Sequence, residues 1–115
     1  MRLNEVIYNG ALPVDGYGPG FFRIGGERRD GAQSVLPSGV SAWEPWETAP
    51  FLAGDRVDVL LVGTGAETAH LPTDFRTTLE TAGIGVDAMA SPQACRTYNV
   101  LLGEGRRVGL AVLPV

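Results

Sequence analysis

The chain has 115 residues, with nine basic against thirteen acidic side chains and a formal net charge of −4. That is one domain's length, and area scaling has folding hide about two-thirds of the unfolded surface, enough for one core. A composition of 44% hydrophobic and 19% charged residues describes an ordinary globular protein and excludes a disordered chain. The acidic balance argues against general nucleic-acid binding, which needs a basic footprint.

With one cysteine, Cys95, and one histidine, His70, neither an internal disulfide nor a Cys₄ or Cys₂His₂ metal site can form. No metal site is therefore predicted, and no cofactor is expected. All nine basic residues are arginine, so lysine chemistry is excluded. The start, Met1 to Glu5, puts a carboxylate where a signal peptide needs an apolar core. The longest apolar run, Val108 to Val115, is far too short for a membrane span. These readings predict a cytoplasmic protein with a reduced thiol.

Residues 1–55 carry most of the prolines and a dense scatter of glycines. The apolar patches Leu3–Tyr8, Phe21–Ile24 and Ala32–Leu36 read as brief strands. Tyr17-Gly18-Pro19-Gly20 reads as a turn between them, and residues 37–55 as a long loop carrying Trp43-Glu44-Pro45-Trp46. Val57–Val62 is a β-branched and leucine run, the pattern of a strand covered on both faces, ended by Gly63-Thr64-Gly65.

A helix is predicted over 72–82, with Pro72 in its first turn, Gly83 at its left-handed end and the stripe Leu71, Phe75, Leu79, Ala82. Ile84–Met89 is the next strand. Ser91-Pro92 then reads as N-cap and first residue of a helix over 92–103, with Ala94, Thr97, Tyr98 and Leu101 on one face. Arg107–Pro114 closes the chain as a strand. The predicted order, β-β-β-loop-β-α-β-α-β over residues 1–115, specifies a single layered α/β domain with a mixed sheet.

Gly63-Thr64-Gly65 after a buried strand, with Asp87 some twenty residues on, is a partial dinucleotide fingerprint. Thr68 stands where the third glycine belongs, and residues intervene before the helix, which favours a structural turn. Cys95 lies in the first turns of a helix, where the dipole lowers a thiol pKa, yet free cysteine is among the most buried residue types. His70 falls at a loop-to-helix junction, and no third residue completes a triad.

The richest polar patch is Arg96, Thr97, Tyr98, Asn99, Glu104 and Arg106. Arg96 with Arg106 can clamp a carboxylate or phosphate. In the structural alternative Arg106 pairs with Glu104 or Asp87, and Asn99 ties a loop backbone. Trp43 and Trp46 either anchor a protein partner or fold back as a lid over the sheet.

Nearly the whole chain carries a resemblance. Its residues are Leu60-Leu61-Val62-Gly63-Thr64-Gly65, Gly83-Ile84-Gly85-Val86, Ala94-Cys95-Arg96-Thr97-Tyr98-Asn99-Val100-Leu101, Glu104-Gly105-Arg106-Arg107-Val108 and Leu113-Pro114, with Gly16-Tyr17-Gly18, Phe21-Phe22-Arg23-Ile24 and Leu36-Pro37…Trp43. It resembles the small domain of unknown function shared by bacterial and archaeal proteins and by assembly factor 3 of complex I (NADH:ubiquinone oxidoreductase). The resemblance implies a three-layer fold around a mixed sheet of about five strands and no established catalytic residues.

The sequence supports three readings. One is a non-catalytic binding or assembly module whose partner is a respiratory complex subunit or another assembly factor. Another is a small enzyme or anion-binding protein using Gly63–Gly65 and the Arg96/Asn99/Arg106 cluster. The third is a structural homo-oligomer subunit. Asp87 is the one candidate general base, so the residues lean away from an enzyme.

Overall fold

The computed structural model describes residues 11–54 and 56–115. Three short antiparallel strands come first: β1 (Val14–Gly18), β2 (Phe21–Ile24) and β3 (Glu27–Asp30), in the order β1-β2-β3. A hairpin follows, β4 (Gln33–Leu36) with β5 (Gly39–Ala42), then a one-turn helix α1 (Ala49–Leu52). The C-terminal half alternates as β6 (Val59–Thr64), α2 (Thr73–Thr81), β7 (Gly85–Met89), α3 (Ser91–Gly103) and β8 (Val108–Leu113).

The main sheet is five-stranded and mixed, in the order β5-β4-β8-β6-β7. β6 pairs in parallel with both β7 and β8, while β4 pairs antiparallel with β8 and β5. From β6 the chain crosses one way to β7, then returns past β6 to β8. Right-handed crossovers in opposite directions put α2 and α3 on opposite faces of the sheet.

The side-chain alternation of the central strands records these two faces. Leu61, Leu110 and Val112 point into a core shared with Ala94, Cys95, Tyr98 and Leu102 of α3 and with Phe22 and Ile24 of the small sheet. Leu60, Val62 and Ala111 point the other way, into a core built from Phe75, Leu79, Trp43 and Phe51. A strand buried on both faces reads as a continuous apolar run, which is why β6 and β8 were evident in the sequence. α2 ends where Gly83, at φ +88°, takes a left-handed conformation that L side chains rarely adopt.

Several expectations are corrected. Residues 37–55 are not one loop: they contain β5 and α1. Pro37-Ser38 turns the chain so that Leu36 pairs with Gly39 and Val35 with Val40, a hairpin whose second strand is too short and polar to show periodicity. Tyr17 and Gly18 belong to β1, so the turn is confined to Pro19-Gly20. β3, Glu-Arg-Arg-Asp, carries no apolar alternation because it is an edge strand with three of its four residues exposed. Ala90, not Ser91, occupies the N-cap of α3, and β8 begins at Val108, leaving Arg106 and Arg107 outside it. The Leu3–Tyr8 expectation lies outside the described residues.

Candidate functional site

Ligands of open α/β sheets collect beyond the carboxyl ends of the strands, where neighbouring crossovers leave in opposite directions. Here that place is the end of β6 beside β8, at Gly63-Thr64-Gly65. A side chain from α3 fills it. Ser91, wholly buried, donates its backbone N–H to the Gly65 carbonyl (2.7 Å) and its hydroxyl to the Leu113 carbonyl (2.6 Å). Its Oγ also accepts the Gly65 N–H (2.9 Å). One serine thus joins α3 to the ends of both central strands.

The glycine before the turn is there for space. A Cβ on Gly63 would lie 2.6 Å from Ser91 Oγ, 2.8 Å from Ser91 Cα and 2.9 Å from Val112 Cγ1. Thr64 adds a latch: its hydroxyl lies 2.6 Å from the Glu67 carbonyl and 3.3 Å from that of Met89, and accepts the Ala69 N–H at 3.0 Å. The turn therefore has its hydrogen-bonding groups turned inward, and these contacts do not support the nucleotide or anion reading of Gly63–Gly65.

α3 divides the predicted polar patch between inside and outside. Tyr98 is fully buried, and its hydroxyl donates to the Leu12 carbonyl (2.8 Å). Asn99 holds both backbone groups of Val14, accepting the N–H on Oδ1 (2.9 Å) and donating from Nδ2 to the carbonyl (2.8 Å). These bonds tie residues more than eighty positions apart, and the backbone that Asn99 holds is that of strand β1 rather than the loop expected in the structural alternative. Arg96, Glu104 and Arg106 are exposed, and Thr97 is half-buried. The ion pairs of the described residues are Arg28–Asp30, Arg29–Glu27 and Arg76–Glu80, so the expected pairing of Arg106 with Glu104 or Asp87 does not form.

Cys95 is buried, and desolvation pushes its thiol up to about 12 against the smaller opposing pull of the Arg96 charge. Burial overrides the helix dipole here, because removing a thiolate from water costs more than the first turn returns. Asp87 and His70 are exposed. Both line a cleft of about 350 Å³ with Thr68, Ala69, Leu71, Arg76 and Ala88, a grouping made by the β6–α2 loop, α2 and β7 that the sequence does not announce. Arg76 in that cleft donates to the Val86 carbonyl (3.1 Å) and to Glu80 (3.3 Å).

The tryptophans follow the lid reading. Trp43 is 3% exposed, with its indole N–H on the Glu47 carbonyl (3.0 Å). Its ring meets Trp46, Phe51 and Phe75 at centroid distances of 5.6, 6.0 and 5.9 Å, two of them edge-on. Trp46, at φ +71°, is half-buried and also packs edge-on against Phe75 at 5.4 Å. The loop folds back over the α2 face of the sheet and closes the second core. Ser91 and Gly63 are what the sequence reading missed as a unit; the available signal was topological, since a return crossover lays the start of α3 over the end of β6.

Among the described residues no group of three or more His, Cys, Asp or Glu side chains is placed to hold a metal ion. No helix among them is long and apolar enough to cross a membrane.

An uncharacterised protein of Rhodobacter capsulatus is 44% identical over 117 residues, spanning 100% of this chain and 94% of its own length. Human NADH dehydrogenase (ubiquinone) 1 alpha subcomplex assembly factor 3 is 32% identical over 113 residues, spanning 90% of this chain. The match takes in 61% of that human protein. Among solved structures, an outer membrane protein from Bartonella henselae superposes with a TM-score of 0.85 at 33% identity, over 95% of this chain and 99% of that one. Residues 14–113 match the protein family of unknown function designated DUF498/DUF598, and the chain belongs to that family.

Proposed function

We propose that this protein is a non-catalytic binding module that assists assembly of a respiratory NADH dehydrogenase, acting in the cytoplasm through protein partners. The observation that carries this reading is the alignment of 90% of the chain with an assembly factor of that enzyme. The geometry supports it from the other side. Ser91, Tyr98 and Asn99, three polar groups of α3, are engaged in holding the fold. The groups left outward include residue types that bind proteins, among them the exposed Arg106 and the half-buried Trp46.

The test is affinity capture from the organism that encodes the chain, comparing the wild type with Arg106→Glu. Enrichment of NADH dehydrogenase subunits with the wild type, reduced by the charge reversal, is the expected result. If no such subunit is enriched, and cells lacking the gene instead accumulate a small metabolite, the assembly reading fails.

A further inference from the structure

α3 turns one narrow stripe to solvent. Ser91, Ala94, Cys95, Tyr98 and Leu102 are buried, whereas Gln93, Arg96, Val100, Gly103 and Glu104 are exposed on the opposite side of the helix. Val100, at the centre of that stripe, is 59% exposed, more than Tyr17 (43%) or Leu12 (39%). An isolated exposed valine is unremarkable by itself; the charges around it are what specify an occupant.

Arg96 lies four residues before Val100 and Glu104 four after, so the two stand about 6 Å along the axis on either side of it. Neither has an ion-pair partner among the described residues. A positive and a negative group disposed evenly about an apolar centre form a stripe that is complementary to itself under a two-fold rotation. When two such helices run antiparallel, Val100 meets Val100, and each Arg96 faces the Glu104 of the other copy. Gly103 carries no side chain beside this centre and has open space around it, which lets the helices approach closely.

We propose that the exposed face of α3 is a homodimer surface, in which a second copy of this chain docks antiparallel with Val100 on the two-fold axis. The contact is limited to one 13-residue helix, so it belongs with the small, reversible interfaces, below about 1,200 Å² of buried surface. It goes beyond the assembly reading, and either can fail without the other.

Sedimentation or light scattering of the full chain, from roughly 10 μM to 1 mM, spans the range in which an interface of this size associates. The mass is expected to rise towards that of a dimer. Arg96→Glu and Glu104→Arg, both at exposed positions, should each weaken association roughly tenfold by facing like charges across the axis. The double variant R96E/E104R restores the pairing with its signs exchanged and should recover dimerisation. Val100→Cys should cross-link on oxidation, because side chains on the axis fall within the reach of a disulfide, about 7 Å between Cα atoms. Circular dichroism confirms that the variants fold. A monomer mass across the whole range overturns the proposal. So does a dimer that the single charge reversals leave unchanged, or one that the double variant fails to recover.

Discussion

Asn99 holds Val14 as a neighbouring strand would, taking its N–H at 2.9 Å and giving an N–H to its carbonyl at 2.8 Å. The side chain of a helix thereby completes the backbone of the first strand. Through this contact, and through Tyr98 on the Leu12 carbonyl, the small sheet is fastened to the α3 layer. Asn99→Ala leaves both Val14 groups without their partner and should cost about 2 kcal/mol. Tyr98→Phe removes one bond and should cost about 1 kcal/mol. Denaturant midpoints at constant slope measure both, and an Asn99→Ala protein as stable as the wild type would refute the role given to this contact.

Gly63 and Ser91 form the second such pair. Gly63→Ala drives a methyl into Ser91 and Val112 and should destabilise by about 1–3 kcal/mol, the range for overpacking a filled core. Ser91→Ala removes the hydroxyl that joins Gly65 to Leu113 and should cost about 1–3 kcal/mol through the polar groups it orphans. Because the two residues touch, their effects should not add. Combining them in a thermodynamic cycle checks this, and strict additivity would contradict the packed contact.

Trp43→Ala empties the centre of a four-ring cluster and should cost about 3–5 kcal/mol. Trp46→Ala, at a half-buried position, should cost clearly less. Thermal unfolding followed by circular dichroism orders the two, and equal losses would place the lid elsewhere than on Trp43.

The Cys95 thiol supplies a pH signature. Its folded-state value, about 12, lies above the ordinary value of 9.0, so the folded chain keeps a proton that the unfolded chain releases. The stability tied to that proton is fully present below pH 9 and is lost as the pH climbs towards 12. The slope contributed is at most about 1.4 kcal/mol per pH unit in that window. Cys95→Ala removes this contribution, so wild type and variant should diverge above pH 9 and run parallel below it. Thiol reagents at pH 8 should label the native protein only as fast as it opens.

The layered architecture could be read from the chain because β6, β8 and the two long helices show their burial in their own periodicity. Val59–Val62 is apolar on both faces, and Phe75 and Leu79 mark the buried side of α2. β3 and β5 could not be read this way. Their residues lie at sheet edges, where one face or both meet water and the pattern carries no apolar signal. The polar cluster was visible as a cluster, but not as two sets. Asn99 and Arg96 are one turn apart on the same helix, and only the position of β1 decides that one turns to Val14 while the other stays in solvent. Trp43 is the same case: its burial depends on Phe51 and Phe75, which reach it from α1 and α2.

The proposed role in building a respiratory NADH dehydrogenase can be checked by native electrophoresis of membranes from cells lacking the gene. Less fully assembled enzyme, together with accumulated partial assemblies, is the expected result. Complementation by the wild-type gene should restore the assembled enzyme, and so should Cys95→Ala, which leaves the surface unchanged. An undiminished level of assembled enzyme in cells without the protein would contradict it.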